Sequence, residues 1–181
     1  LEAMAVEIAG DKPIEAVIGR PLLDIFRNEY QLTDAQAYRA IDLYRDHYDS
    51  LNQEGTEIYE SIPDVLPALK NAGYRLFVAT VKPTSIADKV LADLDLRSCF
   101  DGVSGASMGP TRRDKSSIIA HALSRFGLDP LQSIMIGDRD QDILGARENG
   151  LPAIGVTYGF GSKEELNAAE PAHLVDHSEQ I

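Results

Sequence analysis

The sequence is poor in cysteine, in basic residues and in long apolar runs. Its single cysteine, Cys99, excludes an internal disulfide framework and is typical of a reducing compartment, so we expect a cytoplasmic protein. Lys and Arg number 17 against 29 Asp and Glu, and the net charge of −12 argues against nucleic acid or an anionic membrane surface as a partner. No apolar run approaches membrane-spanning length, and nothing resembles a signal peptide.

Two regions with different patterns follow each other along the 181 residues. Residues 1–54 read as helices, the longest beginning at Thr33, where Gln36 completes a capping box. The inward stripe of that helix is predicted to be Ala37, Ala40, Ile41, Tyr44 and Tyr48. We therefore predict a small all-helical domain over 1–54, with a hinge near 53–56, and a second domain over 55–181.

Strands and helices alternate in the second region. Predicted strands cover 74–79, 102–104, 134–136, 153–156 and 174–175. Pro63 starts the first helix, Asp114 caps another that Gly127 ends, and Ser162 with Glu165 forms a capping box for the last. Strands separated by helices indicate an α/β fold with a doubly wound parallel sheet.

The stretch over 133–146 carries the strongest chemical signal. The apolar run Ile134–Ile136 fits a fully buried strand, and Asp138, Asp140 and Asp142 follow it at alternate positions. Open α/β sheets bind ligands at the carboxyl ends of their strands. Carboxylates crowded there repel one another unless a cation joins them, and Mg²⁺ prefers oxygen ligands.

Two other kinds of structure contain a similar acidic stretch. A calcium-binding loop would need Gly and Glu where this sequence has Ile143 and Asn149, so that interpretation is rejected. The second is an acidic turn in which Asp140 or Asp142 only caps the following helix. That interpretation would be favoured if the stretch stood alone.

Three features in chain order give the stretch a context. Thr80 ends a predicted strand, Lys115 opens a helix, and Gly137-Asp138 with Asp142 follows another strand. This series resembles the second, third and fourth motifs of the haloacid dehalogenase-like hydrolase superfamily. Two segments are similar to its phosphoglycolate phosphatase-like branch: Thr-x-Lys-Pro-Thr at 80–84 and Ile-Gly-Val-Thr-Tyr-Gly-Phe-Gly-Ser-Lys-Glu-Glu-Leu at 154–166. The helical region then resembles the small cap domain of that branch.

The resemblance implies a Mg²⁺-dependent phosphatase that acts on a small phosphorylated metabolite through an aspartyl-phosphate intermediate. Asp138 would be a direct metal ligand, and Asp142 would orient it or a metal-bound water. The Thr80 hydroxyl would hold a phosphate oxygen, and Lys115 would bring a positive charge to the phosphate and the nucleophile. Taken singly, Thr80 fits an ordinary strand residue and Lys115 a solvated lysine.

The family's first motif, Asp-x-Asp-x-Thr, is absent from residues 1–181, although it supplies the nucleophile. Because the cap domain follows that motif in the family, the resemblance implies that the nucleophile lies upstream of residue 1 and that 1–181 alone is inactive. The family's first strand lies between the strands that end at Thr80 and Gly137. We therefore expect those two strands not to pair directly, and a further strand to lie between them.

Substrate specificity is the least constrained property. Arg20 could reach a carboxylate or phosphate of the substrate, and Lys82 could add positive potential at the cleft, although each also fits a solvated surface residue. A 5'-nucleotidase or pyrophosphatase on the same scaffold is an alternative. A non-catalytic phosphate-binding relative that has lost its nucleophile is another. The sequence does not indicate an oligomeric state.

Overall fold

The structure is a computed structural model and describes residues 4, 22–50, 56–107 and 112–181, without the side chains of 45–50. The chain divides into two compact units, Leu1–Thr56 and Glu57–Ile181. The division falls two residues from the domain border drawn on the sequence. That the first unit acts as a cap domain for the second stays a proposal.

The first unit is helical in its described part. It contains α1 (Leu22–Asp24), a π-helical turn (Ile25–Glu29) and α2 (Asp34–Ser50). The capping box at the start of α2 is confirmed, because the Thr33 N–H donates to Gln36 Oε1 at 3.0 Å and the Gln36 N–H donates to Thr33 Oγ1 at 3.5 Å. Its buried core consists of Leu23, Phe26, Leu32, Ala37, Ala40 and Ile41.

The predicted inward stripe of α2 is wrong at one position. Tyr44 is 44% exposed, whereas Ala37, Ala40 and Ile41 are buried. The side chain of Tyr48 and most of the helical segments expected before residue 22 lie outside the described residues. Arg20 lies outside them too.

The second unit alternates helices and strands as predicted. Its elements are α3 (Ile62–Asn71), β1 (Phe77–Pro83), α4 (Thr84–Asp93), β2 (Gly102–Ala106), α5 (Lys115–Phe126), β3 (Met135–Gly137), α6 (Asp140–Glu148), β4 (Ala153–Val156), α7 (Lys163–Ala168) and β5 (His173–Val175). Every described strand pair is parallel, and the predicted α/β fold class is confirmed.

The described strands form two sheets, β1–β2 and β3–β4–β5. In register, Thr80 lies beside Gly105, and Gly137 lies beside Gly155. Among the described residues β1 and β3 do not pair with each other, as the family resemblance implied. That a further strand lies between them stays a prediction.

A shared hydrophobic core lies under these helices and strands. Its buried members are Ile119, Ile143, Ala146, Ala153, Leu166 and Ala169, and Ala79 of β1 and Met135 of β3 pack against them. Helix α5 contributes Ile119 to this core, and the sequence marks both of its ends. Asp114 accepts a hydrogen bond from the Ser117 N–H at 2.8 Å, and Gly127 ends the helix with a φ of 61°.

Two sequence predictions about strands need correction. β1 was predicted over 74–79, but it begins at Phe77 and extends to Pro83, so Thr80 lies within the strand rather than at its end. Ile134 was predicted in a fully buried strand, but it precedes β3 and is 48% exposed. In the part of the chain that the structure describes, no helix is both long enough and apolar enough to cross a membrane.

Candidate active site

Lys115 connects two of the predicted site segments. It is the first residue of α5, and its ammonium Nζ donates a hydrogen bond to the carbonyl oxygen of Ala79 at 2.9 Å. The same Nζ lies 2.7 Å from Oδ1 of Asp142, near the start of α6. The two side chains are 12% and 5% exposed, so this ion pair is largely removed from solvent. Lys115 therefore connects the residue before Thr80 with the acidic stretch.

Asp142 has two different roles in the structure. Its Oδ2 accepts a hydrogen bond from the Arg139 N–H at 3.1 Å, which caps α6. Its Oδ1 is buried and has no aligned hydrogen-bond donor among the described residues, although Lys115 approaches it closely. The helix-capping interpretation of the acidic stretch thus describes one oxygen of this carboxylate. The other oxygen is paired with the Lys115 ammonium group.

Asp138 lies in the connection between β3 and α6 and is enclosed by the loop over 157–162. Its Oδ2 accepts a hydrogen bond from the Phe160 N–H at 2.8 Å. Gly159 lies against the Asp138 side chain, and Gly161 lies against its backbone carbonyl, so closely that a Cβ on either glycine would collide with Asp138. This loop therefore needs glycine at both positions because Asp138 fills the space.

Thr80 and Lys82 lie on the carboxyl half of β1, and both are partly buried. The Thr80 hydroxyl oxygen accepts a hydrogen bond from the Lys82 N–H at 3.1 Å. Thr80 directly follows Ala79, to which Lys115 binds.

The sequence did not reveal the partner of Arg139. Its Nε donates a hydrogen bond to Glu165 Oε1 at 2.8 Å, and the side chains of this ion pair are 11% and 25% exposed. The Asp140 N–H donates to the same oxygen at 3.0 Å. Burial by itself would raise the pKa of Glu165, but the hydrogen bonds from Arg139 and Asp140 and the positive charge of Arg139 together leave the pKa below its usual value.

Two tyrosines near Asp138 were also missed. The rings of Tyr59 and Tyr158 meet edge to face with centroids 5.2 Å apart. Burial raises the pKa of the Tyr59 hydroxyl, and the charge of Asp138 raises it further. Burial is also the main cause of the raised pKa of Tyr158, to which Tyr59 and Asp138 add. The two residues lie 99 positions apart in the printed numbering, so no local signal could have paired them.

The donor set at this site suits a cation that brings most of its own ligands. Among the residues that the structure describes, no group of three or more His, Cys, Asp or Glu side chains is arranged to hold a metal. Mg²⁺ is commonly held by one or two carboxylates together with waters and substrate oxygens. Asp138 and Asp142 are the carboxylates of this segment that such a site would use, and Oδ1 of Asp142 already carries the Lys115 ion pair.

Comparisons with known proteins agree with the geometry. A 5'-nucleotidase from Pseudomonas aeruginosa is 38% identical over 160 residues, which cover 88% of this chain and 72% of that protein. A phosphoglycolate phosphatase from Vibrio vulnificus is 27% identical over 167 residues, covering 92% and 73%. The crystal structure of a predicted phosphatase from Clostridium acetobutylicum matches with a TM-score of 0.89 and 36% identity, covering 92% of this chain and 77% of that one.

The family comparison covers most of the chain. The haloacid dehalogenase-like hydrolase profile matches residues 1–156, which include Thr80, Lys115, Asp138 and Asp142. This match confirms the resemblance that the order of these residues suggested. The chain belongs to the haloacid dehalogenase-like hydrolase family.

Proposed function

We propose that this protein is a Mg²⁺-dependent phosphatase that hydrolyses a small phosphorylated metabolite. The observation that carries the proposal is the position of Lys115, whose ammonium group contacts both the Ala79 carbonyl and the Asp142 carboxylate. A buried lysine held between two segments is suited to receive an anionic group. The phosphatase and nucleotidase relatives support a phosphoric monoester as that group.

Asp138 would ligate the metal directly, and Asp142 would orient Asp138 or a metal-bound water. When bound, Mg²⁺ supplies positive charge that neutralises the phosphate oxygens and orients the phosphoryl group. The buried position of Asp142, in the first turn of the helix that follows Asp138, supports this assignment. The Phe160 N–H holds the Asp138 carboxylate in one orientation.

Thr80 and Lys115 would bind the phosphate itself. The Thr80 hydroxyl can donate its proton to a phosphate oxygen while its own oxygen accepts the Lys82 N–H. Lys115 would contribute a fixed charge close to the phosphate. Lys82 and Arg20 stay proposals for substrate binding.

The nucleophile is proposed to be an aspartate outside residues 1–181. One of its carboxylate oxygens would form a bond to phosphorus as the ester P–O bond breaks, and the leaving oxygen would take up a proton. Water would then cleave the aspartyl phosphate and release inorganic phosphate. Residues 1–181 by themselves are expected to bind ligands without turning them over. The single cysteine supports a reducing, cytoplasmic location.

A 5'-nucleotide is the second candidate substrate. The Pseudomonas aeruginosa 5'-nucleotidase has the higher identity of the two enzymes compared, and the aromatic pair Tyr59–Tyr158 near Asp138 offers ring surface for a nucleobase. A panel of phosphoglycolate and nucleoside monophosphates separates the candidates. The panel uses a version of the protein that carries the proposed upstream aspartate. If Tyr59→Ala then raises KM for nucleotides but not for phosphoglycolate, the nucleotidase is favoured. Turnover of phosphoglycolate in preference to nucleotides favours the phosphoglycolate phosphatase.

The metal assignment is tested by calorimetric titration of the chain with Mg²⁺ alone. Wild type should bind Mg²⁺, and Asp138→Asn should lose at least about tenfold in affinity because a direct ligand is neutralised. Glu148→Gln, at the opposite end of α6, is the matched control and should bind as wild type does. Equal affinities for wild type and Asp138→Asn would overturn the assignment.

A further inference from the structure

We infer that Glu165 is a positioning residue that holds the loop over 157–162 against Asp138. The inference rests on the proposed function, because it concerns the carboxylate assigned to the metal. It assigns a role to a residue that local sequence patterns placed in an ordinary helix cap. Contacts on both sides of that loop support this role.

The first side is the contact between Glu165 and the start of α6. Its Oε1 accepts one hydrogen bond from Arg139 Nε at 2.8 Å and another from the Asp140 N–H at 3.0 Å. Arg139 and Asp140 are the two residues that directly follow Asp138. A single carboxylate oxygen therefore connects the start of α7 to the backbone immediately after the candidate metal ligand.

The second side is the loop itself. Ser162 accepts the Glu165 N–H at 3.1 Å, which joins the end of the loop to the first turn of α7. Inside the loop, the Phe160 N–H donates to Asp138 Oδ2. Gly159 lies against the Asp138 side chain, and Gly161 lies against its backbone carbonyl. Glu165 thus anchors the C-terminal end of a loop whose middle contacts Asp138.

The Glu165 carboxylate binds a distant segment rather than its own helix. In a complete capping box, it would turn back to its own helix start at Ser162. Here it instead spans 26 residues of sequence to a partly buried arginine. Carboxylates that ligate metals are commonly held by outer hydrogen bonds, as the Phe160 N–H holds Asp138 here, and the loss of such a bond weakens metal affinity about 10–100-fold.

The test compares Glu165→Ala and Glu165→Gln with Glu170→Gln. Glu170 also pairs with an arginine of α6, Arg147, but at 3.6 Å and with both side chains exposed, which makes it a matched control. Two quantities are measured on the purified chain: hydrogen exchange at the Phe160 amide by NMR, and affinity for Mg²⁺ by calorimetry.

Glu165→Ala should accelerate Phe160 exchange and weaken Mg²⁺ binding, each by about tenfold or more. Glu165→Gln should have a smaller effect, because its amide oxygen can still accept the Arg139 and Asp140 hydrogens. Glu170→Gln should match wild type in both measurements. A milder Gln variant also keeps the test valid if Glu165→Ala does not fold.

Two results would overturn the inference. One is unchanged Phe160 exchange in both Glu165 variants, and the other is faster exchange without any loss of Mg²⁺ affinity. Failure of the proposed function gives a different pattern, in which Asp138→Asn binds Mg²⁺ as wild type does or wild type binds none. In that case the proposed metal site and the role of Glu165 at that site are both overturned.

Discussion

The two ends of α6 each carry an arginine paired with a glutamate, and the two pairs differ sharply. At the N-terminal end, Arg139 and Glu165 are 2.8 Å apart and only 11% and 25% exposed. At the C-terminal end, Arg147 and Glu170 are 3.6 Å apart and 57% and 82% exposed. The Lys115–Asp142 pair at the N-terminal end is even more buried.

The contribution of each ion pair to stability depends on its burial. An exposed ion pair contributes about 0–1 kcal/mol because water and salt screen it. A buried pair costs desolvation, and removing one partner leaves an uncompensated charge worth about 3–5 kcal/mol. Desolvated charges are therefore concentrated at the end of α6 that carries Asp138 and Asp142, which is the proposed catalytic end.

The largest expected difference between the two ends is in turnover. In a version of the protein that carries the expected upstream aspartate, Asp138→Asn should lower the kcat for a phosphate monoester by about 10³-fold. Loss of metal-based charge stabilisation is worth several kcal/mol, and each 1.4 kcal/mol is about tenfold in rate. Release of inorganic phosphate measures the effect. Glu148→Gln should keep wild-type turnover, and near-wild-type turnover by Asp138→Asn would contradict the role of Asp138.

Next in size is a difference in stability. Lys115→Met should lower the free energy of unfolding by about 3–5 kcal/mol, because it leaves the Asp142 carboxylate buried without its counter-charge. Arg147→Met, at the exposed end, should cost no more than about 1 kcal/mol. Urea unfolding followed by circular dichroism measures both. Similar losses in the two variants would show that burial does not distinguish the two ends.

The smallest expected effect concerns Asp114, which caps the helix that begins with Lys115. Asp114→Ala should cost about 1 kcal/mol, as the loss of a helix N-cap usually does. The Ser117 N–H lowers the pKa of this carboxyl in the folded protein. Its stabilisation is therefore present above the unfolded-state pKa of about 3.9 and is lost as pH falls through the lower folded value.

Asp114→Asn separates the charge of this cap from its geometry. Asn can still accept the Ser117 hydrogen bond but does not titrate, so its free energy of unfolding should fall less than that of wild type between pH 6 and pH 3. Parallel urea titrations at the two pH values provide the measurement. Identical pH dependence in the two proteins would exclude a contribution from this carboxyl.

Local signals in the sequence predicted the helix boundaries well. Thr33 with Gln36 and Asp114 with Gly127 depend on groups three or four residues apart, or on one residue's own backbone preference. The strand at 153–156 is confirmed with the same bounds. The order of Thr80, Lys115 and Asp138 was enough to recognise the family, which the family profile confirms.

Local sequence patterns did not predict the contacts between distant segments. Ile134 belongs to an apolar run that predicted a buried strand, yet its side chain is half exposed in the structure. Ser162 and Glu165 were predicted to form a capping box, and only half of it is present, because Glu165 binds Arg139 instead. The energy of a buried ion pair depends on solvent exclusion by surrounding segments, which a short window of sequence does not contain.

The sequence by itself determined the helix caps, the alternation of strands and helices, and the family to which the chain belongs. Each of these depends on residue identity at short spacing or on motif order. The tertiary structure decided that Lys115 pairs with Asp142, that Tyr59 meets Tyr158, and that the loop over 157–162 encloses Asp138. Those contacts join segments far apart in the chain, and they form only when the core packs and excludes water between them.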